Sequence, residues 1–337
     1  MERGRMRRIV RQPPDRSHMA SQNNPIGLIA LLLLTLLPLG CESGPTTARP
    51  RSAVSEPAGG PSTAEQMTAA AAAFLGSLSE EARQIARFTL EEDQTPTGWS
   101  NLPASFVSRV GVRYGDLDGT QRRLLHGLFR ASTSSQGYQK IAGIIRLDGV
   151  LHEEASAAVS AGTRRLPPDL VESWTPENYW VSFYGTPGED EEWAWLLSGH
   201  HLAGNFTVAG NRTSFTPMFL GAEPNEVQEG LEAGWKILSH EPARGIEVMQ
   251  SLSGAQQTHA TLQGDVPRDI LAGPGNKGRL TALEGLSVAE MTEDQQRLVW
   301  AVVQEFVSNA DHDAADAQLQ QIRDDGLASL HFAWLGP

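Results

Sequence analysis

At a fixed spacing of 174 residues this chain resembles itself. Ser77-Leu78-Ser79 returns as Ser251-Leu252-Ser253, and Gln121-x-Arg123-Leu124 returns as Gln295-x-Arg297-Leu298. The same spacing pairs Gly111 with Gly285 and Leu117 with Met291, and both windows run into apolar residues at helical intervals. One offset shared by several separate matches restricts the fold more than any local motif does: the chain reads as two copies of one unit. The second copy breaks off early. Val181-Ser-Phe-Tyr-Gly-Thr-Pro187 is echoed by His331-Phe-Ala-Trp-Leu-Gly-Pro337, and the residues that follow Pro187 have no counterpart.

Each copy places helices before strands. The alanine run at 69–73, with Phe74 and Leu75 behind it, opens a helix, and Ser79 is placed to cap a second that turns Ile85 and Phe88 inward. Thr120 is the expected N-cap of a helix whose Leu124, Leu125, Leu128 and Phe129 form one apolar stripe. Its repeat starts on Thr292-Glu-Asp-Gln295, a capping box, and continues with Leu298, Val299, Val302, Val303, Phe306 and Val307 facing inward. Another helix is expected over about 135–155, with a shorter repeat near 313–323. After Pro176 the apolar period changes from helical to alternating, over 179–184, 193–201, 205–209 and 213–220, which reads as an antiparallel meander with a turn at Gly210-Asn211. The expected fold class is α+β: two tandem helix-then-antiparallel-sheet repeats, residues 68–240 complete and 241–337 with an unfinished sheet.

The N-terminal part is of another kind. Six arginines precede an apolar run from Ile26 to Leu39, and Gly40-Cys41 closes it, the layout of a secretory signal peptide over residues 1–41. The run is 14 residues, short of the roughly 20 that a membrane-spanning helix needs. Leu39-Gly40-Cys41 resembles the lipobox of bacterial lipoproteins, in which the cysteine is lipidated, and departs from it at Pro38. Cys41 is the one cysteine of the chain, so the body holds no internal disulfide. Residues 42–67, rich in Pro, Ser, Thr, Ala and Gly, read as a flexible linker. The expected location is the outer face of a bacterial membrane, reached through a lipid anchor, with secretion in soluble form as the alternative. Arg3, Arg5, Arg7, Arg8, Arg11 and Arg16 against Glu2 and Asp15 leave residues 1–40 at +4; with −13 for the whole chain, the remainder carries −17. That acidity, without a basic stripe, argues against nucleic acid as a partner.

The strongest chemical constellation is Gly199-His200-His201-Leu-Ala-Gly-Asn205, at the junction of two expected strands. On a straight strand His200 and His201 point to opposite faces, whereas His201 and Asn205 share one. His200, His201 and Asn205 are therefore the candidate ligand-binding residues, with His201 the candidate ligand of a divalent transition metal. A zinc site wants three or four ligands, and the rest of its shell is not legible in the sequence. Other patterns fail on context. Gly273-Pro-Gly275-Asn-Lys-Gly278 spells a dinucleotide fingerprint with no strand before it, Asp116-Leu-Asp118-Gly119 lacks the spacing of a calcium loop, and His152-Glu153 lacks a second histidine. The tryptophans at 180, 193 and 195 are expected to pack within the sheet.

Several spaced segments resemble one family: Phe74-Leu75-x-Ser77-Leu78-Ser79, Ser135-x-Gly137-Tyr138, Tyr184-Gly185-Thr-Pro187, Gly199-His200-His201-Leu202-x-x-Asn205-Phe206, Phe219-Leu220-Gly221-Ala222 and Leu330-His331-Phe332-Ala333-Trp334. Together they are similar to domain-of-unknown-function family 3500, a bacterial and fungal group. The resemblance implies no reaction. It does imply further strands with an Asn-His-x-His motif beyond the Leu-His-Phe-Ala-Trp segment, a part this chain does not show. Two functional readings follow. One is a binding or interaction module on a lipid tether, whose unfinished sheet offers an edge to a strand of a protein partner. The other is a metal-assisted hydrolase, or a degenerate relative of one, built around His200, His201 and Asn205.

Overall fold

The structure is a computed structural model that describes residues 60–90, 99–267, 270–271, 273 and 282–336. The leader, Cys41, the linker up to residue 59 and residues 275–278 of the glycine run lie outside the described residues. Among the described residues no helix is long and apolar enough to cross a membrane.

The fold is α+β. Helix α1 (Thr63–Ser77) begins inside the stretch that composition assigns to the linker, because Ser62 and Glu65 form a capping box there. It is followed by α2 (Glu80–Ala86), capped by Ser79, and the two-residue strand β1 (Arg87–Phe88). Strand β2 (Val112–Arg113) leads through a 3-10 turn into α3 (Gly119–Ser132). The cap of α3 is Asp118, boxed with Gln121, and not Thr120: an aspartate two residues earlier accepts from both Thr120 N and Gln121 N. Then come α4 (Ser135–Ser160) and α5 (Pro168–Ser173). The strands are β3 (Tyr179–Tyr184), β4 (Glu192–Gly199), β5 (Leu202–Ala209), β6 (Arg212–Ser214) and β7 (Met218–Leu220). They pair antiparallel in the order β3-β4-β5-β6, with β7 beside β6 on β5. Two short strands cover the outer edge of β3, β2 antiparallel and β1 parallel, so the sheet is mixed rather than a pure meander.

One face of this sheet packs on helices. Val181, Phe183, Trp193, Trp195 and Phe206 meet Phe74, Leu125, Leu128 and Phe129 in a single core. Trp195 lies between Phe129 and Phe206, at 6.0 and 4.4 Å between ring centroids and nearly parallel to both. Each fully buried leucine, valine or phenylalanine of this layer stabilises the fold by roughly 1.5–3 kcal/mol through apolar area removed from water. The tryptophans at 193 and 195 are packing residues, as their fully buried rings show.

Beyond the sheet lie α6 (His240–Ser251), α7 (Gly254–Ala260), β8 (Leu286–Ser287), α8 (Glu293–Val307), α9 (His312–Asp325) and β9 (His331–Phe332). Contacts 174 residues apart correspond. Gln121 Nε2 donates to the Ser77 carbonyl and Gln295 Nε2 to that of Ser251. Arg83 bonds the carbonyls of Leu75 and Leu78, and Gln257 those of Met249 and Leu252. Gly111 and Gly285 both take positive φ, and a Cβ would meet a strand carbonyl at 2.3 Å (Val181) or 2.4 Å (Phe332), a place only glycine fills. The strand register corrects the echo at the chain's end by one residue: Val112 pairs with Val181 and Leu286 with Phe332, so Val181 corresponds to Phe332 and not to His331.

The two parts share a core. Val303, Val307, Ala314, Ala315, Leu319 and Ile322 belong to the same apolar cluster as the β3–β5 sheet. A buried ionic contact fixes the junction: Lys140 Nζ on α4 lies 2.6 Å from Glu241 Oε1 and 2.8 Å from Glu305 Oε1, and Gln136 Nε2 donates to Glu305 at 2.9 Å. The Ser134 hydroxyl donates to the Ser308 carbonyl, joining positions that are themselves 174 residues apart.

Candidate metal centre

Gly199 pairs with Leu202 across β4 and β5, which leaves His200 and His201 as the two residues of a tight hairpin turn. The alternation rule of strands does not apply there, and the expectation of opposite faces is corrected: the imidazole centroids are 4.1 Å apart. His201 adopts φ 54, the left-handed region that a non-glycine residue visits at a cost, and the surroundings hold it there. Its N–H donates to the Asn101 carbonyl, and its carbonyl accepts from Gly221 N. A Cβ on Gly221 would lie 2.6 Å from His201 Nδ1, so the 221–223 segment passes close to the ring because that residue is glycine.

That segment brings in Glu223. Its Oε2 is 3.2 Å from His201 Nε2 and 3.7 Å from His200 Nε2, and the three side chains offer ligand atoms that all lie within 4.8 Å of one another. Bonds of about 2.1 Å in a tetrahedral shell put ligand atoms about 3.4 Å apart, so the separations of 3.2 and 3.7 Å bracket what one ion requires. Contact with His201 and the nearby His200 holds the Glu223 carboxyl below its usual range, against its partial desolvation.

Behind the turn stands a second layer. His200 Nδ1 is 2.7 Å from Asp148 Oδ1, which leaves Nε2 toward Glu223. The Tyr179 hydroxyl lies 2.9 Å from Asp148 Oδ2 and 3.0 Å from the His200 carbonyl. Burial pushes the Asp148 carboxyl up to about 8, opposed by the Tyr179 hydroxyl, and drives the His200 imidazole down to about 3. A protonated Asp148 supplies a proton to every contact of this ring: His200 Nδ1–H to Asp148 Oδ1, Asp148 Oδ2–H to Tyr179 Oη, and Tyr179 Oη–H to the His200 carbonyl. Neutral His200 keeps its Nε2 lone pair for a cation, and a carboxylate on the far nitrogen is the usual support of a metal-bound histidine.

Arg109 clamps the loop that crosses the turn. It donates to Ser198 Oγ, the Gly199 carbonyl and the carbonyls of Ser100, Leu102 and Val107, and burial lowers its guanidinium to about 10. The Trp174 ring stands 6.2 Å from that of His200, and its buried Nε1 has no hydrogen-bond partner among the described residues.

Of the sequence candidates, His200 and His201 come together, whereas Asn205 lies in β5 with its amide donated to the Pro217 carbonyl at 2.6 Å. Glu223, Asp148, Tyr179 and Arg109 were not singled out by the sequence. Asp148 did leave a signal, a lone carboxylate on the inward stripe of α4 between Ile144, Ile145 and Leu151. Glu223 left none.

Residues 61–337 match the model of family DUF3500, described as a protein of unknown function. No curated protein and no solved structure matches the chain.

Proposed function

The chain belongs to the DUF3500 family, and with that family's function unknown we propose, from the site itself, that it binds a divalent transition metal through His200, His201 and Glu223. The observation that carries this reading is the convergence of two imidazoles and a carboxylate on a strained hairpin turn, with Asp148 held against the outer nitrogen of one imidazole. Two histidines and one carboxylate are a donor set that divalent zinc, iron and similar ions accept, and three protein ligands leave coordination positions open. Glu223 is about half exposed and His201 partly so, which gives solvent and ligands access to those positions. An ion held there supplies Lewis acidity and an activated water, the basis of metal-assisted hydrolysis.

The purified chain, stripped with chelator, is expected to take up one equivalent of Zn²⁺ or Co²⁺ by calorimetry, with a Co²⁺ visible spectrum typical of low coordination. His201→Ala and Glu223→Gln are expected to lose that equivalent while keeping the circular dichroism of the fold. Equal uptake by both variants and the parent chain would refute the site.

The leader supports an envelope location for this metal-binding module, with Cys41 as the lipid attachment point. In a bacterial host the full chain is expected in the detergent-soluble membrane fraction, and Cys41→Ser in the aqueous fraction. If the full chain and the serine variant partition identically, the anchor is excluded.

A further inference from the structure

Exposed apolar side chains stand beside the candidate metal centre, on the loop of residues 99–111 that crosses the β4–β5 turn. Three contacts tie that loop in place. The Asn101 carbonyl accepts from His201 N at 2.9 Å, and Arg109 donates to the Gly199 carbonyl and to Ser198 Oγ at 3.0 and 3.1 Å. The Ser105 hydroxyl donates to that of Ser173 at 3.3 Å, next to Trp174, whose ring is 6.2 Å from that of His200. Within the loop the Pro103 carbonyl accepts from Phe106 N and Val107 N, and Arg109 holds the carbonyls of Ser100, Leu102 and Val107. That turn sets Leu102 and Phe106, four residues apart, on one side of the loop. The two residues are nevertheless 39% and 63% exposed. A loop clamped this firmly keeps two large apolar groups in water next to the metal ligands, an unfavourable arrangement that an apolar ligand relieves.

Charge selects the other end of that ligand. Imidazoles bind a metal in their neutral form, so a divalent ion held by His200, His201 and Glu223 keeps one net positive charge at its open positions. Asp148 does not cancel it, because the Arg109 guanidinium lies within electrostatic reach of that carboxyl. The exposed Arg164 adds positive charge on the Glu223 side. We infer, on the basis of the metal centre proposed above, that its open positions take the carboxylate of a small organic acid whose apolar chain lies against Leu102 and Phe106. A carboxylate oxygen is an ordinary ligand of such ions, and its single charge matches that of the shell. An organic acid is also what hydrolysis of an ester or amide releases, so the same contacts fit the acyl part of a hydrolysed substrate.

The full chain loaded with Co²⁺ tests it, with acetate and octanoate as probes. Both acids are expected to change the visible spectrum of the bound ion. Octanoate is expected to bind about 30–100-fold tighter than acetate, as about three of its additional methylenes leaving water would produce. Phe106→Ser, at an exposed position, is expected to lower octanoate affinity about 10-fold while acetate affinity and Co²⁺ uptake stay as in the parent chain. Arg164→Gln is expected to weaken both acids alike, by about 2–5-fold. Equal affinity for the two acids, or octanoate held as tightly by the metal-free chain, would overturn the inference and leave the metal centre standing. So would a serine variant that keeps the full preference for octanoate, because the chain of the acid would then lie elsewhere. Inorganic phosphate binding more tightly than octanoate would overturn the carboxylate assignment in the same way. A chain that takes up no Co²⁺ fails earlier, at the metal centre itself, and the organic-acid site falls with it.

Discussion

Replacing Lys140 with methionine is expected to lower the free energy of unfolding by about 3–5 kcal/mol, read as a shift of the urea midpoint at unchanged slope. Methionine nearly matches the stem of lysine, so packing changes little and the loss is electrostatic. Lys140 is 6% exposed, and its ammonium serves two largely buried carboxylates from different helices, Glu241 on α6 and Glu305 on α8. Without it two negative charges face each other largely away from water, and Glu241 has no hydrogen bond among the described residues to fall back on. Adding Glu241→Gln and Glu305→Gln to the methionine variant is expected to recover most of the loss, because the triple variant buries no charge at the junction. A single variant within 1 kcal/mol of the parent would show that water reaches these carboxylates. The contact also bears on the metal centre: Lys140 and Asp148 are two turns apart on α4, so one helix joins the inter-unit junction to the support of His200.

The sequence carried the helices well because their signals are local. Apolar stripes and the capping box at 292–295 depend on neighbours three and four residues away, although at the start of α3 Asp118 and not Thr120 takes the cap. Strand β3 has the bounds expected from the sequence, 179–184. What the sequence hid was long-range. That Trp180 opposes Arg113, or that Phe332 and not His331 takes the place of Val181, depends on pairing between distant strands, and a one-residue ambiguity in register leaves the apolar pattern almost unchanged. The site shows the same division. The histidine pair is legible as a motif, yet the alternation expected of it does not hold, because two residues inside a hairpin turn look like two residues of a continuous strand until the 199–202 pairing is known. Glu223 sits in an irregular segment 22 residues past His201, with nothing in its own neighbourhood to mark it. Asp148 lies 52 residues before His200, and only its polarity on an apolar helix face sets it apart.

Asp148 is where structure and chemistry can be separated by two substitutions. In Asp148→Asn the amide oxygen accepts from His200 Nδ1–H, its NH₂ donates to Tyr179 Oη, and Tyr179 donates to the His200 carbonyl, so the ring of contacts at 2.7, 2.9 and 3.0 Å stays closed. Its stability is expected within about 1 kcal/mol of the parent, since no buried donor loses its partner. Metal affinity is expected to fall by about 10–100-fold, because a carboxyl can give up its proton when a cation binds His200 and so place a negative charge behind the imidazole, which an amide cannot do. Asp148→Ala, by contrast, strands His200 Nδ1–H and leaves Tyr179 one partner short. It is expected to cost about 2–4 kcal/mol of stability on top of the lost affinity. Thermal or urea unfolding without metal reads the first difference, and Zn²⁺ titration of the folded variants reads the second. An asparagine variant that binds metal as tightly as the parent would mean that Asp148 only braces the turn. One that unfolds as readily as the alanine variant would mean that the buried pair depends on the carboxylate charge itself, and the closed ring of hydrogen bonds would have to be abandoned.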